Sequence, residues 1–123
     1  MAGTVTTIEQ TTVGTIKRLK FTWVSSAGGA ADATTAVPFD GDIICATFVP
    51  DGGGTQPTNL YDVTLLDADS VDVLNGLGAN LSNAATVNKL KSDGLLAVAG
   101  QTLTLSVTNA GNAKGGVVRL LLR

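Results

Sequence analysis

Apolar and polar residues alternate with a period of two along most of this chain, and β-branched side chains carry much of the pattern. The alternation is clearest in TIKRLKFTWV, Thr15–Val24. There Leu19, Phe21 and Trp23 share one face, and Arg18, Lys20 and Thr22 the other, as in a strand buried on one side. Thr4–Val13 is rich in Thr and Val, has no helical apolar stripe, and predicts another strand. IICATFV, Ile43–Val49, predicts a buried strand, and LYDVTLL places Tyr61, Val63 and Leu65 in phase. VDVL reads as a short return after a turn at DADS. LLAV leads into QTLTLSVT, where Leu103, Leu105 and Val107 oppose Thr102, Thr104, Ser106 and Thr108. VVRLLLR, Val117–Arg123, reads as a last, paired strand.

Between these segments lie Gly-rich and small polar stretches. Ser25–Thr35 predicts a mobile loop, and Pro50–Asn59 a second loop. Its three consecutive glycines lack the Lys-Ser/Thr and helix start of a phosphate-binding loop. AVPF is a short edge segment, since Pro38 has no amide proton. The DGD at Asp40–Asp42 is a turn signal, and NAGNAKGG a hairpin-type connection. Asn75–Gly94 is the least strand-like region, with one short helical turn near Ala84–Leu90. About eight short strands, Gly-rich turns and no long helix predict an all-β fold. We expect a single antiparallel β-sandwich or jelly roll over residues 1–123, with residues 1–14 set apart as a candidate assembly arm.

Composition sharpens this picture. At 123 residues, the chain has the usual size of one domain. Charged residues make up only 15%, about half of what a well-solvated monomer surface carries. Thr, Ser, Asn and Gly fill the polar positions instead, which suits lasting contact with other subunits. The net charge is −2, with no basic tract, so a nucleic-acid partner lacks its electrostatic footprint. No stretch has the length of a membrane-spanning helix, and MAGTVTTIEQ has no secretory-signal pattern. The lone Cys45 reads as a small buried hydrophobe.

The chain has no histidine, which removes Ser-His catalysis and a neutral-pH proton shuttle. One cysteine rules out a Cys-rich zinc site. Asp62, Asp67, Asp69 and Asp72 crowd into one stretch, yet a helix-loop-helix calcium loop would need an oxygen ligand where Val71 stands and a later Glu. A β-turn, in which Asp accepts backbone N–H groups, accounts for them more simply. A single Ca²⁺ at Asp67 and Asp69, or a glycosidase-type Asp pair, is the competing reading. Trp23 is in phase with Leu19 and Phe21, so it reads as a core anchor before a sugar-stacking platform. We expect no enzyme activity, no catalytic or metal-ligating residue and no cofactor. The candidate partner interface is Val5, Ile8 and Val13 on the first strand, with Arg18 and Lys20 on the polar face of the second.

YDVTLLDADSVDVLNGLGANLS, followed by AGQTLTLSVTNAGNAKGGVVRLLLR, resembles small structural proteins of tailed bacteriophages. The shared features are a Tyr-Asp-hydrophobic-Thr-Leu strand at Tyr61–Leu65, an Asp-x-Asp turn at Asp67–Asp69, and a GxGAN segment at Gly76–Asn80. A Leu-Thr-Leu-x-Val strand at Leu103–Val107 and a terminal Val-Arg-Leu strand at Val118–Leu120 follow in the same order. The resemblance covers roughly the C-terminal half. It implies a virion component on the capsid exterior, of the decoration or cement type. Such a protein is expected to form trimers and to bind the major capsid protein between capsomers. It carries over no catalytic residue. The competing readings are a tail or head-tail structural protein and a receptor- or carbohydrate-binding β-sandwich.

Overall fold

The alternating segments become strands because each can turn one apolar face to a common core. The computed structural model describes residues 3–36 and 38–123, and the side chains of residues 4–7 and 13 lie outside that description. Nine strands form among the described residues: β1 (Thr4–Val13), β2 (Ile16–Val24), β3 (Ala31–Thr34), β4 (Phe39–Pro50), β5 (Asp62–Leu66), β6 (Val87–Leu90), β7 (Ala97–Gln101), β8 (Thr104–Thr108) and β9 (Gly115–Leu122). Two 3₁₀ turns, Gly53–Thr55 and Lys91–Asp93, are the only helical pieces described. The chain is all-β, with curled sheets of sandwich type, as the alternation predicts.

The strand order is β5-β8-β3-β1-β2-β9-β4-β6, with β7 added on β4. Every pairing is antiparallel except β1 with β3, which run parallel and meet at Thr4 and Asp32. That corner divides a five-stranded half (β1-β2-β9-β4-β6) from a three-stranded half (β3-β8-β5). Leu19, Phe21, Trp23, Ile43, Phe48, Val118 and Leu120 of the first half and Val63, Leu65, Leu105 and Val107 of the second share one buried cluster. Each such buried side chain contributes roughly 1.5–3 kcal/mol relative to exposure. The thin supply of aromatics is spent inside: Trp23, Tyr61, Phe21, Phe39 and Phe48 are all buried. Gly116 on β9 makes this packing fit, since a Cβ there would fall 2.8 Å from Trp23 Cζ2 and 2.9 Å from the Val49 carbonyl oxygen.

Several local expectations give way to tertiary pairing. Ala31–Thr34 lies in the stretch read as a mobile loop, yet it is strand β3, because β8 supplies a partner for its backbone from Ala31↔Val107 to Thr34↔Thr104. Ala84–Leu90 forms no helical turn. Its last four residues are β6, paired on β4, where Asn88 Oδ1 accepts a hydrogen bond from Thr47 Oγ1 at 2.7 Å. Asp40–Asp42 is not a turn but an irregular part of β4. Gly41, at φ 126°, lets the Asp42 N–H reach the Arg123 carbonyl at 3.0 Å. Residues 71–74 return as a single bridge, Leu66↔Asp72, rather than a strand. Within AVPF, Val37 lies outside the described residues, and Phe39 opens β4.

The Asn109–Lys114 segment is not a hairpin. It crosses from β8 in one half to β9 in the other, and these strands do not pair. Ser25, 3% exposed, holds the crossover by donating its Oγ–H to the Gly111 carbonyl and accepting the Lys114 N–H at 2.9 Å. A glycine-rich connection is compatible with either geometry. The apolar faces of β8 and β9 choose the arch, because they meet across the core.

Candidate interaction surface

The outward face of the five-stranded half is built from residues that alternate with the core. The register lines them up in rows across the strands. One row runs Glu9, Lys20, Arg119, Thr47, Asn88, and the next runs Thr11, Arg18, Leu121, Cys45, Leu90. A third holds Thr22, Val117 and Val49. Arg18, Lys20, Arg119, Thr47, Val49 and Val117 surround an open depression of about 280 Å³. Cys45 belongs to this face, half-buried with its Sγ 3.7 Å from Thr47 Oγ1, and is not the core hydrophobe expected. The irregularity between Ile43 and Cys45 shifts the phase of β4 and turns the thiol outward.

The electrostatics of this face are unbalanced. Lys20 and Arg119 are direct cross-strand partners, and like charges so placed repel and destabilise a sheet. Glu9 lies opposite Lys20, yet its ion pair is with Arg18, at 3.5 Å. Among the described residues Lys20 has no ion-pair partner. Arg119 Nη2 donates a long bond to Thr47 Oγ1 at 3.4 Å, and its Nε is buried with no acceptor. Three cations therefore share a patch with one carboxylate, in a chain whose net charge is −2.

The aspartates gather on the other half. Asp67 Oδ1 accepts the N–H groups of Asp69 at 2.9 Å and Val71 at 3.0 Å, and the Asp67 N–H reaches the Val71 carbonyl at 3.0 Å. Gln101 clamps the same turn, donating Nε2 to Asp69 Oδ2 at 3.1 Å and accepting the Ala68 N–H at 3.2 Å. Asp72 accepts the N–H groups of Leu65, Leu74 and Gly76, and Asp62 accepts from Asn80 and from the Asn109 side chain. This is turn chemistry, with carboxylates replacing backbone acceptors where the chain reverses.

Of the residues read from the sequence as an interface, Arg18 and Lys20 project from this face as expected from the alternation. Ile8 is half-buried and packs against the core. The side chains of Val5 and Val13 lie outside the described residues. Lys17 points away from the patch, donating to the Asp40 carbonyl at 2.6 Å and its carboxylate at 3.3 Å. Sequence reasoning missed Arg119, Thr47, Val49 and Val117. Their outward phase was legible, since Arg119 falls between Val118 and Leu120, but their neighbours across the sheet were not. On its other side, β1 is open: β2 pairs along its length, but β3 meets it at Thr4 alone among the described residues.

Burial raises the Tyr61 phenol to a pKa of about 12, as expected of a core residue rather than a reactive one. Comparison of the chain with protein-family models and with curated proteins finds no match.

Proposed function

We propose that this chain is a structural protein of a tailed-phage virion, of the capsid decoration type. It adheres to the outer shell between capsomers and associates with itself, in the simplest case as a trimer. It works by surface contact and performs no catalysis. The observation that carries this reading is that β1, which among the described residues meets β3 at Thr4 alone and so leaves a strand edge unpaired, borders a cationic and apolar sheet face. Unpaired edges add to a neighbour's sheet, and left free they invite aggregation, so a persistent one suits a protein that works in an assembly. The ordered motifs of the C-terminal half support the phage assignment. They fall on β5, the Asp67–Asp69 turn, the Gly76–Asn80 segment, β8 and β9.

A sugar-binding module is disfavoured by one observation. Trp23 and Tyr61 are each 1% exposed and lie against one another, tilted by 44° with ring centroids 5.8 Å apart, leaving no ring face for a pyranose. The test is co-sedimentation with preassembled empty shells of the matching phage. Saturable binding to shells is the expected result, and binding to tail assemblies alone would replace this reading with a tail role.

A further inference from the structure

The cationic depression and the acidic turn are complementary, and one molecule cannot bring them together. The depression opens on the outward face of β2, β9 and β4 in the five-stranded half. The Asp67–Val71 turn follows β5, the outer strand of the three-stranded half. It is held by Gln101, which pairs with Phe39 at the start of β4, whereas the depression lies at Thr47 and Val49 toward the other end of that strand. We propose that the depression is the docking site for the Asp67–Val71 turn of a second copy of this chain.

Three features of the two surfaces argue for it. The turn offers two carboxylates beside Val71, an apolar side chain 46% exposed. The depression offers Arg18, Lys20 and Arg119 around Val117 and Val49, the latter 37% exposed. Charge meets opposite charge, and apolar surface meets apolar surface. Second, the turn is rigid before contact, held by the Asp67 and Gln101 hydrogen bonds, so docking it costs little ordering entropy. Third, the Lys20–Arg119 juxtaposition burdens the free protein, and an incoming carboxylate converts that repulsion into attraction. Because two different patches meet, the contact is heterologous. It closes into a ring, a trimer being one solution, or propagates as an open chain. The inference rests on the self-association named above and is independent of shell binding.

The test is a charge exchange between two proteins, Lys20→Glu and Asp69→Lys. Each keeps one intact half of the contact. Both positions are on the surface, and thermal melts followed by Trp23 fluorescence establish that each variant is folded. Light scattering and sedimentation velocity then read association. Wild type should self-associate, and more weakly as salt rises. Each variant alone should associate at least about tenfold more weakly, a modest value for close charge pairs across an interface. An equimolar mixture should regain association, because the intact turn meets the intact face and the exchanged charges meet each other: most of the loss in an even ring or open chain, and less in a trimer, where one of the three contacts must join like variants. A wild type that stays monomeric, or variants that assemble as wild type does, would overturn the proposal, as would a mixture that regains nothing. If Lys20→Glu impairs shell binding but leaves self-association untouched, the face belongs to the shell and the proposal falls. Shell binding by a monomer would sink this inference alone, while self-association without shell binding would sink only the decoration role.

Discussion

Arg119 is placed where a free monomer would be better without it, and Arg119→Met measures by how much. Two penalties disappear with the guanidinium. Its buried, unpaired Nε costs about 1–3 kcal/mol, as for any desolvated donor without an acceptor. The cross-strand repulsion from Lys20 adds about 0.2–1 kcal/mol. Against these stands the bond to Thr47 Oγ1, long at 3.4 Å and hence at the weak end of a hydrogen bond. Methionine keeps most of the aliphatic stem, so packing between Val117 and Leu121 changes little. The net expectation is about 1–2 kcal/mol of added stability, or a rise in Tm of about 3–10 °C for a domain of this size. The assay is thermal unfolding followed by Trp23, the single tryptophan, at protein concentrations too low for association. Lys20→Met should shift Tm less, because it removes only the repulsion and also the attraction to Glu9 opposite. A Tm for Arg119→Met equal to or below wild type would refute the reasoning. Equal shifts for the two variants would assign the effect to the charge pair rather than the orphaned Nε.

Three further predictions concern the core and the first strand. Gly116→Ala should destabilise by about 1–3 kcal/mol, the usual cost of overpacking, because its Cβ cannot coexist with the Trp23 ring; a red-shifted Trp23 emission and an earlier denaturant midpoint would show it. Tyr61 should make stability fall between pH 10 and 12, since its folded pKa of about 12 lies above the ordinary value of 10.0 and the unfolded chain ionises first. Denaturant midpoints across that range should decline in wild type and flatten in Tyr61→Phe, and tyrosinate absorbance reports this residue alone because it is the only tyrosine. Deleting residues 2–14 should leave a folded domain by circular dichroism, with a lowered Tm, because among the described side chains of β1 only Ile8 packs against the core. Self-association or shell binding should weaken with it, and a truncated chain that unfolds outright would make β1 an integral strand rather than an arm.

The inward sides of β2, β5, β8 and β9 were readable from the chain alone, because a strand exposes its two faces at a period the sequence repeats directly. Leu19, Phe21 and Trp23 are buried and Arg18 and Lys20 are not, as the alternation required. The aspartate turn was readable for the same local reason: Asp accepts backbone N–H groups within a few residues of itself. What the tertiary structure alone decided was pairing between distant segments. Strand β3 exists because β8, roughly seventy positions away, offers its ladder, and β6 exists because β4 does. Bulges in β4 reversed the expected side of Cys45, since one irregular residue changes the phase of all that follow. The Lys20–Arg119 pair is of the same kind. Each residue could be placed on an outward face from its own neighbours, but only the β2–β9 register set two cations side by side. Alternation is a property of one strand, whereas a surface patch belongs to the order in which strands are laid together, which depends on how all the apolar faces close over a single core.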